Sequence, residues 1–166
     1  MSTPTIRAAA PDDIESITRI YNHYVLESTA TFDTEPKTVE DRASWLRERD
    51  AVHPVLVAES EGRVLGWGSL SPWAQRPAWR HSVEVSIYID ETATGQGIGP
   101  ALLVALTNHA RRVGHHAMLS QIVADNEPSL KLAQRAGFEH VGTLREVGRK
   151  FDRWLDVALV ELVLEP

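Results

Sequence analysis

At 166 residues, 43% hydrophobic and 24% charged, the chain suits one soluble domain, 1–166, with enough apolar mass for a real core. A net charge of −6 without a basic patch argues against a nucleic-acid partner, and the absence of cysteine excludes disulfides, a thiolate nucleophile and cysteine-ligated zinc. No stretch approaches the ~20 apolar residues that span a bilayer, and Met1–Ile6 lacks a signal-peptide pattern, so no membrane partner is expected and the cytoplasm is the expected compartment.

In chain order, Thr5 to Ala9 reads as a short strand, and Pro11-Asp12-Asp13 opens a helix with acidic residues in its first turn. Ile14, Ile17, Ile20, Tyr21, Tyr24 and Val25 form the apolar stripe of that helix. Residues 28–37 read as a loop with Phe32 as a core plug or pocket wall. Thr38 caps a second helix, Val39 to about Asp50, with Ala43, Trp45 and Leu46 turned inward. A hairpin follows: Pro54 to Glu59, a turn at Glu61-Gly62-Arg63, and Val64 to Leu70. A loop rich in Trp, Arg and Pro, 71–80, precedes a β-branched strand, Val83 to Ile89. Beyond the next helix come a strand Ala117 to Val123 and a short helix Asn126 to Ala136 stopped at Gly137. Two strands close the chain, Phe138 to Leu144 and Trp154 to Leu164, joined by a polar stretch. The pattern is an α/β (α+β) domain with a mixed sheet.

The stretch from Ile87 to Leu103 organises the rest. A strand ends at Asp90, three glycines stand on alternate positions at Gly95, Gly97 and Gly99, and an apolar-periodic helix runs from Ala101 to Val113. Glycines let backbone approach a ligand closely, and the free N–H groups of a helix's first turn suit an anion. A phosphorylated ligand is the first inference. A Walker loop needs Lys and Ser/Thr after the last glycine, where Pro100-Ala101 stands; a dinucleotide fingerprint needs a third glycine placed differently and an opening βαβ unit. A plain strand–helix connection with no ligand stays open on the glycines alone. Pro100 fits the first helical turn, where its missing N–H has no intrahelical use.

This order of elements resembles the GNAT acetyltransferase superfamily. Its acyl-CoA signature matches Thr94-Gly95-Gln96-Gly97-Ile98-Gly99 except at the first position, where Arg or Gln is usual. A second signature, an Asn opening a short helix that ends Gly-aromatic, matches Asn126 through Gly137-Phe138. Tyr21 to Val25, Ser28 to Phe32, Thr34-Glu35-Pro36, Pro72-Trp73, Glu84 with Ser86, and Gly148 to Asp156 are similar to the phosphinothricin and methionine sulfoximine/sulfone N-acetyltransferases.

The resemblance implies a mostly antiparallel sheet of about seven strands flanked by helices, with acyl-CoA at the junction of the fourth strand and third helix. It implies acetyl-CoA as co-substrate and a small amino acid as acceptor, with detoxification as the role. Glu84, inside the apolar strand Val83-Glu84-Val85, takes the place of the general base. The backbone of Ile87, Tyr88 and Ile89 is expected along the pantetheine arm, with the pyrophosphate on Gly95, Gln96, Gly97, Ile98, Gly99 and Pro100. Asn126 is expected beside the pantetheine or the sulfur. Acceptor contacts map to Gln75, Arg76, Pro77, Glu84, Val85 and Ser86, with Arg76 as the carboxylate anchor. The superfamily's usual acid, a Tyr seven residues after the Asn, is Ala133 here. A homodimer with sites near the subunit interface is implied as well.

No His-Glu-x-x-His arrangement occurs, His115-His116 reads as a helix C-terminal cap, and no metal is expected. Two other functions compete. Acetylation of a protein N-terminus or lysine needs an open groove, against which the aromatic loop Trp73 to Trp79 argues. A non-catalytic acyl-CoA sensor fits Ala133 but not Glu84.

Overall fold

Val83, Val85, Ile87 and Ile89 alternate with Glu84, Ser86 and Tyr88 along β4, Ser82–Ile89, and this alternation divides the molecule into two faces. The computed structural model describes residues 2–165; Met1, read above with the N-terminal segment, and residue 166 lie outside the described residues. A seven-stranded sheet runs in the order β1-β2-β3-β4-β5-β7-β6. Its strands are β1 (Thr5–Ala8), β2 (Val55–Ser60), β3 (Arg63–Pro72), β4, β5 (Ala117–Val123), β6 (Glu139–Lys150) and β7 (Arg153–Val163). Every pairing is antiparallel except β4 with β5.

One face of the sheet is covered by α3 (Ile98–Val113) and α4 (Glu127–Arg135), which join Val83, Val85, Met118, Ile122 and Val160 in a core with Leu103, Leu106 and Ala133. Gly68 lets α3 settle: a Cβ there would lie 2.8 Å from Leu106 Cδ1. The opposite face is covered by α1 (Ile14–Glu27), whose Ile17, Ile20, Tyr21 and Val25 bury Trp67 with Val55 and Val57, and by α2 (Val39–Arg47), which adds Trp45 and Leu46. Among the described residues no helix is long and apolar enough to cross a membrane.

Several boundaries differ from those expected. Pro11–Asp13 is a 3-10 turn, and α1 begins at Ile14; Asp13 turns back to accept from Arg7 at 2.7 Å and from the Ala10 N–H at 2.7 Å. The second helix stops at Arg47 rather than Asp50, and its buried residue is Arg42, with Trp45 and Leu46 only partly covered. The third helix starts at Ile98, so Pro100 is its third residue. The polar stretch between the last two strands is itself strand: β6 runs to Lys150, and a two-residue turn at Phe151-Asp152, both at positive φ, returns the chain. His115 closes the end of α3 through its main chain, its N–H donating to the Ala110 carbonyl at 2.9 Å, and not through its ring. Gly114 at φ 90° ends α3, and the His115 ring instead makes a 2.6 Å hydrogen bond with the Val52 carbonyl.

Candidate active site

The parallel pair β4–β5 lasts only from Ser82–Glu84 opposite Ala117–Leu119. Beyond Glu84 the strands part, because β4 stays with β3 through Ile89 while β5 follows β7. A wedge opens between them. Ser120 Oγ donates to the Val85 carbonyl at 3.2 Å, and Tyr24 Oη donates to the Ile89 carbonyl at 2.6 Å. The main-chain groups of Val85, Ile87 and Ile89 therefore face the wedge, while those of Tyr88 between them face β3.

At the wide end of the wedge, Asp90 closes the strand. Its side chain has 0% exposure and holds Arg19 at 2.8 Å and Arg63 at 3.3 Å, and it accepts from the Thr92 N–H at 2.9 Å. Burial alone would push this carboxyl up; the Thr92 hydroxyl and amide, with Arg19, outweigh burial and hold it well below the usual carboxylate range. Gly95 and Gly97 follow at φ 75° and 80°, a left-handed backbone that glycine adopts without strain, with no atom within 4 Å of a would-be Cβ. The turn is an open cradle against the α3 N-terminus. The first intrahelical bond comes only at Ala101, which leaves the Ile98 and Gly99 amides ahead of it.

Strand alternation sorts the expected acceptor residues. Glu84 and Ser86 point to the α1/α2 face, where they lie opposite Ser71 and Ser69 of β3. Gln121 Nε2 donates to Glu84 Oε2 at 2.8 Å and holds the carboxylate at the mouth of the wedge. Val85 points the other way, into the core under α3, so its side chain cannot face an acceptor on the Glu84 side. Arg76 and Gln75 stand exposed, Arg76 at the start of a 3-10 turn over Pro77–Trp79. Trp79 is 46% exposed on this rim. Asn126 caps α4, accepting from the Ser129 N–H at 3.3 Å. Ala133 is buried among core residues.

Next to Glu84 lies a polar aromatic cluster, of which sequence reasoning had assigned only Tyr88, and that through its main chain. Tyr21 donates to Asp33 and is 2.9 Å from the Thr31 hydroxyl. The Tyr21 ring meets Tyr88 edge-on at 5.1 Å, and Tyr88 lies 5.0 Å from Trp67. Burial pushes both phenols up, with Asp33 adding to the shift of Tyr21, and Tyr21 and Glu84 to that of Tyr88. Lys150, 6% exposed, donates to the carbonyls of Ser28 at 2.6 Å and Thr31 at 2.8 Å, fastening this loop to β6. Phe32 is not a core plug: it stays 42% exposed, with the edge of its ring against Gly148. Thr31 and Asp33 sit in the loop flagged by sequence, but only the fold brings them to Tyr88.

A glycine cradle and a carboxylate thus flank a parted parallel pair. Residues 6–159 match the family described as the acetyltransferase (GNAT) domain, and the chain belongs to that family of acyltransferases. It is 41% identical over 161 residues to the phosphinothricin N-acetyltransferase of Streptomyces coelicolor, covering 94% of each chain. It is 37% identical to the L-methionine sulfoximine/L-methionine sulfone acetyltransferase of Salmonella typhimurium, covering 97% of this chain and 95% of that one. Its backbone matches a phosphinothricin acetyltransferase from Sinorhizobium meliloti, solved in complex with AcCoA, with a TM-score of 0.92 and 35% identity over 98% of this chain and 89% of that one.

Proposed function

We propose that this protein uses acetyl-CoA to acetylate the amino group of a small amino-acid-like acceptor of the phosphinothricin, methionine sulfoximine or methionine sulfone type. The observation that carries the reading is the Glu84 carboxylate, held by Gln121 at the point where β4 and β5 part and on the face that Ser86 and Tyr88 share. The similarity to the Streptomyces and Salmonella enzymes supports the acceptor class.

Glu84 takes a proton from the acceptor's ammonium, directly or through one water. The freed nitrogen forms its bond to the thioester carbonyl carbon, the carbon–sulfur bond breaks, and the thiolate leaves. The Ile87 and Ile89 main chain, turned into the wedge, aligns the donor like an added strand, and an N–H there polarises the carbonyl. Gly95, Gln96, Gly97, Ile98, Gly99 and Pro100 frame the diphosphate cradle, although Pro100 offers no N–H. Asn126, whose side-chain oxygen is engaged by Ser129, keeps its amide for the donor. Ala133 has no proton to give, so the second proton, which the nitrogen sheds as the tetrahedral adduct collapses, passes through water to the thiolate. Arg76, with Gln75 and Pro77, meets the acceptor carboxylate from the rim. We further propose that the protein works as a homodimer.

Methionine sulfone and acetyl-CoA should release free CoA in the presence of the protein. Glu84→Gln should lower kcat by about 100-fold or more while leaving acetyl-CoA affinity nearly unchanged. An unaltered rate across pH removes Glu84 as the base. Turnover of peptide N-termini in preference to amino acids would instead establish the protein-acetylation reading.

A further inference from the structure

Helix α2 and the turn after it bring two arginines to this site, and among the described residues neither is held in an ion pair. Arg42 is 8% exposed, and its guanidinium carbon lies 4.0 Å from the centroid of the Tyr21 ring and 4.7 Å from that of Trp45. Its Nε is buried with no hydrogen-bond partner. Arg49 lies on the same indole, 5.1 Å from the centroid. It donates to neutral oxygens: the His53 carbonyl at 3.1 Å, the Leu70 carbonyl, and Ser71 Oγ at 3.3 Å. Among the described residues neither arginine forms an ion pair. The acids nearby are engaged elsewhere: Asp33 accepts from Tyr21 and faces Lys37 at 3.6 Å, and Asp50 is taken by His53 and the Val52 N–H.

Burial disfavours the charge on both guanidiniums and Arg42 adds repulsion to Arg49; Tyr21 and Asp33 beside Arg42, and Asp50 beside Arg49, offset only part of this. Stacking on aromatic rings returns only part of the hydration a buried cation loses. Two like charges beside one indole therefore leave positive charge that an anion would offset. The Arg49 side is reachable: Ser71, which Arg49 touches, is the cross-strand partner of Glu84, and both residues keep partial solvent access.

We propose that Arg42 and Arg49, with the Ser71 hydroxyl, form an anion subsite that receives an acidic head group on the acceptor's side chain. The subsite selects acceptors with an anionic, phosphinate-like head over those with a neutral sulfone or sulfoximine head. It rests on the reading of Glu84 as base and of a small amino acid as acceptor. The α-carboxylate is one carbon from the amine and belongs at the rim with Arg76. A head group three bonds further along the side chain reaches inward, toward Trp45.

The test is the ratio of kcat/KM for phosphinothricin to that for methionine sulfone. In Arg42→Met this ratio should fall by about tenfold or more, and in Arg42→Lys, which keeps the charge, by less than about threefold. Ser71→Asp, which sets a carboxylate on Arg49, should lower the ratio too, and it keeps the question answerable if Arg42→Met does not fold. A ratio unmoved in a folded Arg42→Met or Ser71→Asp protein overturns the subsite, including the case where both acceptors weaken together. If the wild-type protein acetylates neither compound, the functional reading fails separately. Calorimetric titration of both compounds onto CoA-loaded wild-type and Arg42→Met protein then decides: a preference for the anionic ligand lost in the variant upholds the subsite, and equal preference or no binding overturns it.

Discussion

Asp90 sits where the strand hands over to the glycine turn, and three partners hold its carboxylate out of water. Its folded-state affinity for a proton is depressed, so its contribution to stability is fully present above the ordinary carboxylate range. It is lost as pH falls through that range and below. Asp90→Asn should cost about 2 kcal/mol at neutral pH, and urea unfolding of both proteins should show the gap closing below about pH 4. A gap that holds constant into acid would mean that the Asp90 charge is not what stabilises the turn. The same variant should raise the KM for acetyl-CoA, because the cradle at Gly95 and Gly97 starts from this anchor. At this scale the sequence was partly readable. Glu84, Val85 and Ser86 came from the resemblance to the acetyltransferase family; strand alternation keeps the first and last on one face and removes the Val85 side chain from it. Gln121 could not be found that way, since its contact with Glu84 joins strands that pair for only three residues on each side. Arg42 was hidden for another reason: a helical arginine ordinarily faces water, and only the Tyr21, Trp45 and Trp67 rings around it reverse that.

The hairpin of β6 and β7 is the element that positions the loop 28–37. Lys150 reaches the carbonyls of Ser28 and Thr31, and Phe32 occupies the space above Gly148, where a Cβ would lie 2.3 Å from Phe32 Cε2. Lys150→Met should destabilise the fold by about 2–4 kcal/mol, because buried carbonyls lose their donor. It should also raise the acceptor KM more than the acetyl-CoA KM, since Thr31 and Asp33 border the Tyr21 cluster. Gly148→Ala should cost about 1–3 kcal/mol by displacing the Phe32 ring. Adding Phe32→Ala should recover part of that loss, and a double-mutant cycle in urea with no coupling would show that the ring does not seat there. The extent of β6 was not legible from sequence. From Glu139 to Val147 every residue is exposed or half-buried, so no apolar alternation marks the strand. By contrast β4 and α3, each packed against a core, announced themselves within a few residues.

For the molecule as a whole, the sheet order leaves β6 as an edge strand, unpaired along the side away from β7. Val141, Val147, Phe151 and Trp154 on this hairpin are 55%, 54%, 52% and 60% exposed. The edge is bulged between Leu144 and Gly148, with Glu146 at φ 53°, so its exposed apolar side chains rather than a continuous backbone ladder invite a partner. Arg145, Glu146, Arg149 and Asp152 on the same hairpin bring both signs of charge, which a twofold contact can match against themselves. The proposed homodimer would cover this hairpin with a second copy of the chain. Sedimentation velocity at micromolar concentration should therefore give a dimer, and Val147→Glu, which sets a charge on the edge, should shift it toward monomer without loss of far-UV dichroism. The net charge of −6 per chain opposes association, so the wild-type dimer should tighten as salt rises through the range where the Debye length falls below about 8 Å. A wild-type protein that sediments as a monomer at every salt concentration would leave the exposed hairpin with some other partner. In the dimeric case, because the same hairpin fastens the Thr31 loop through Lys150, Val147→Glu should weaken acceptor turnover more than acetyl-CoA binding.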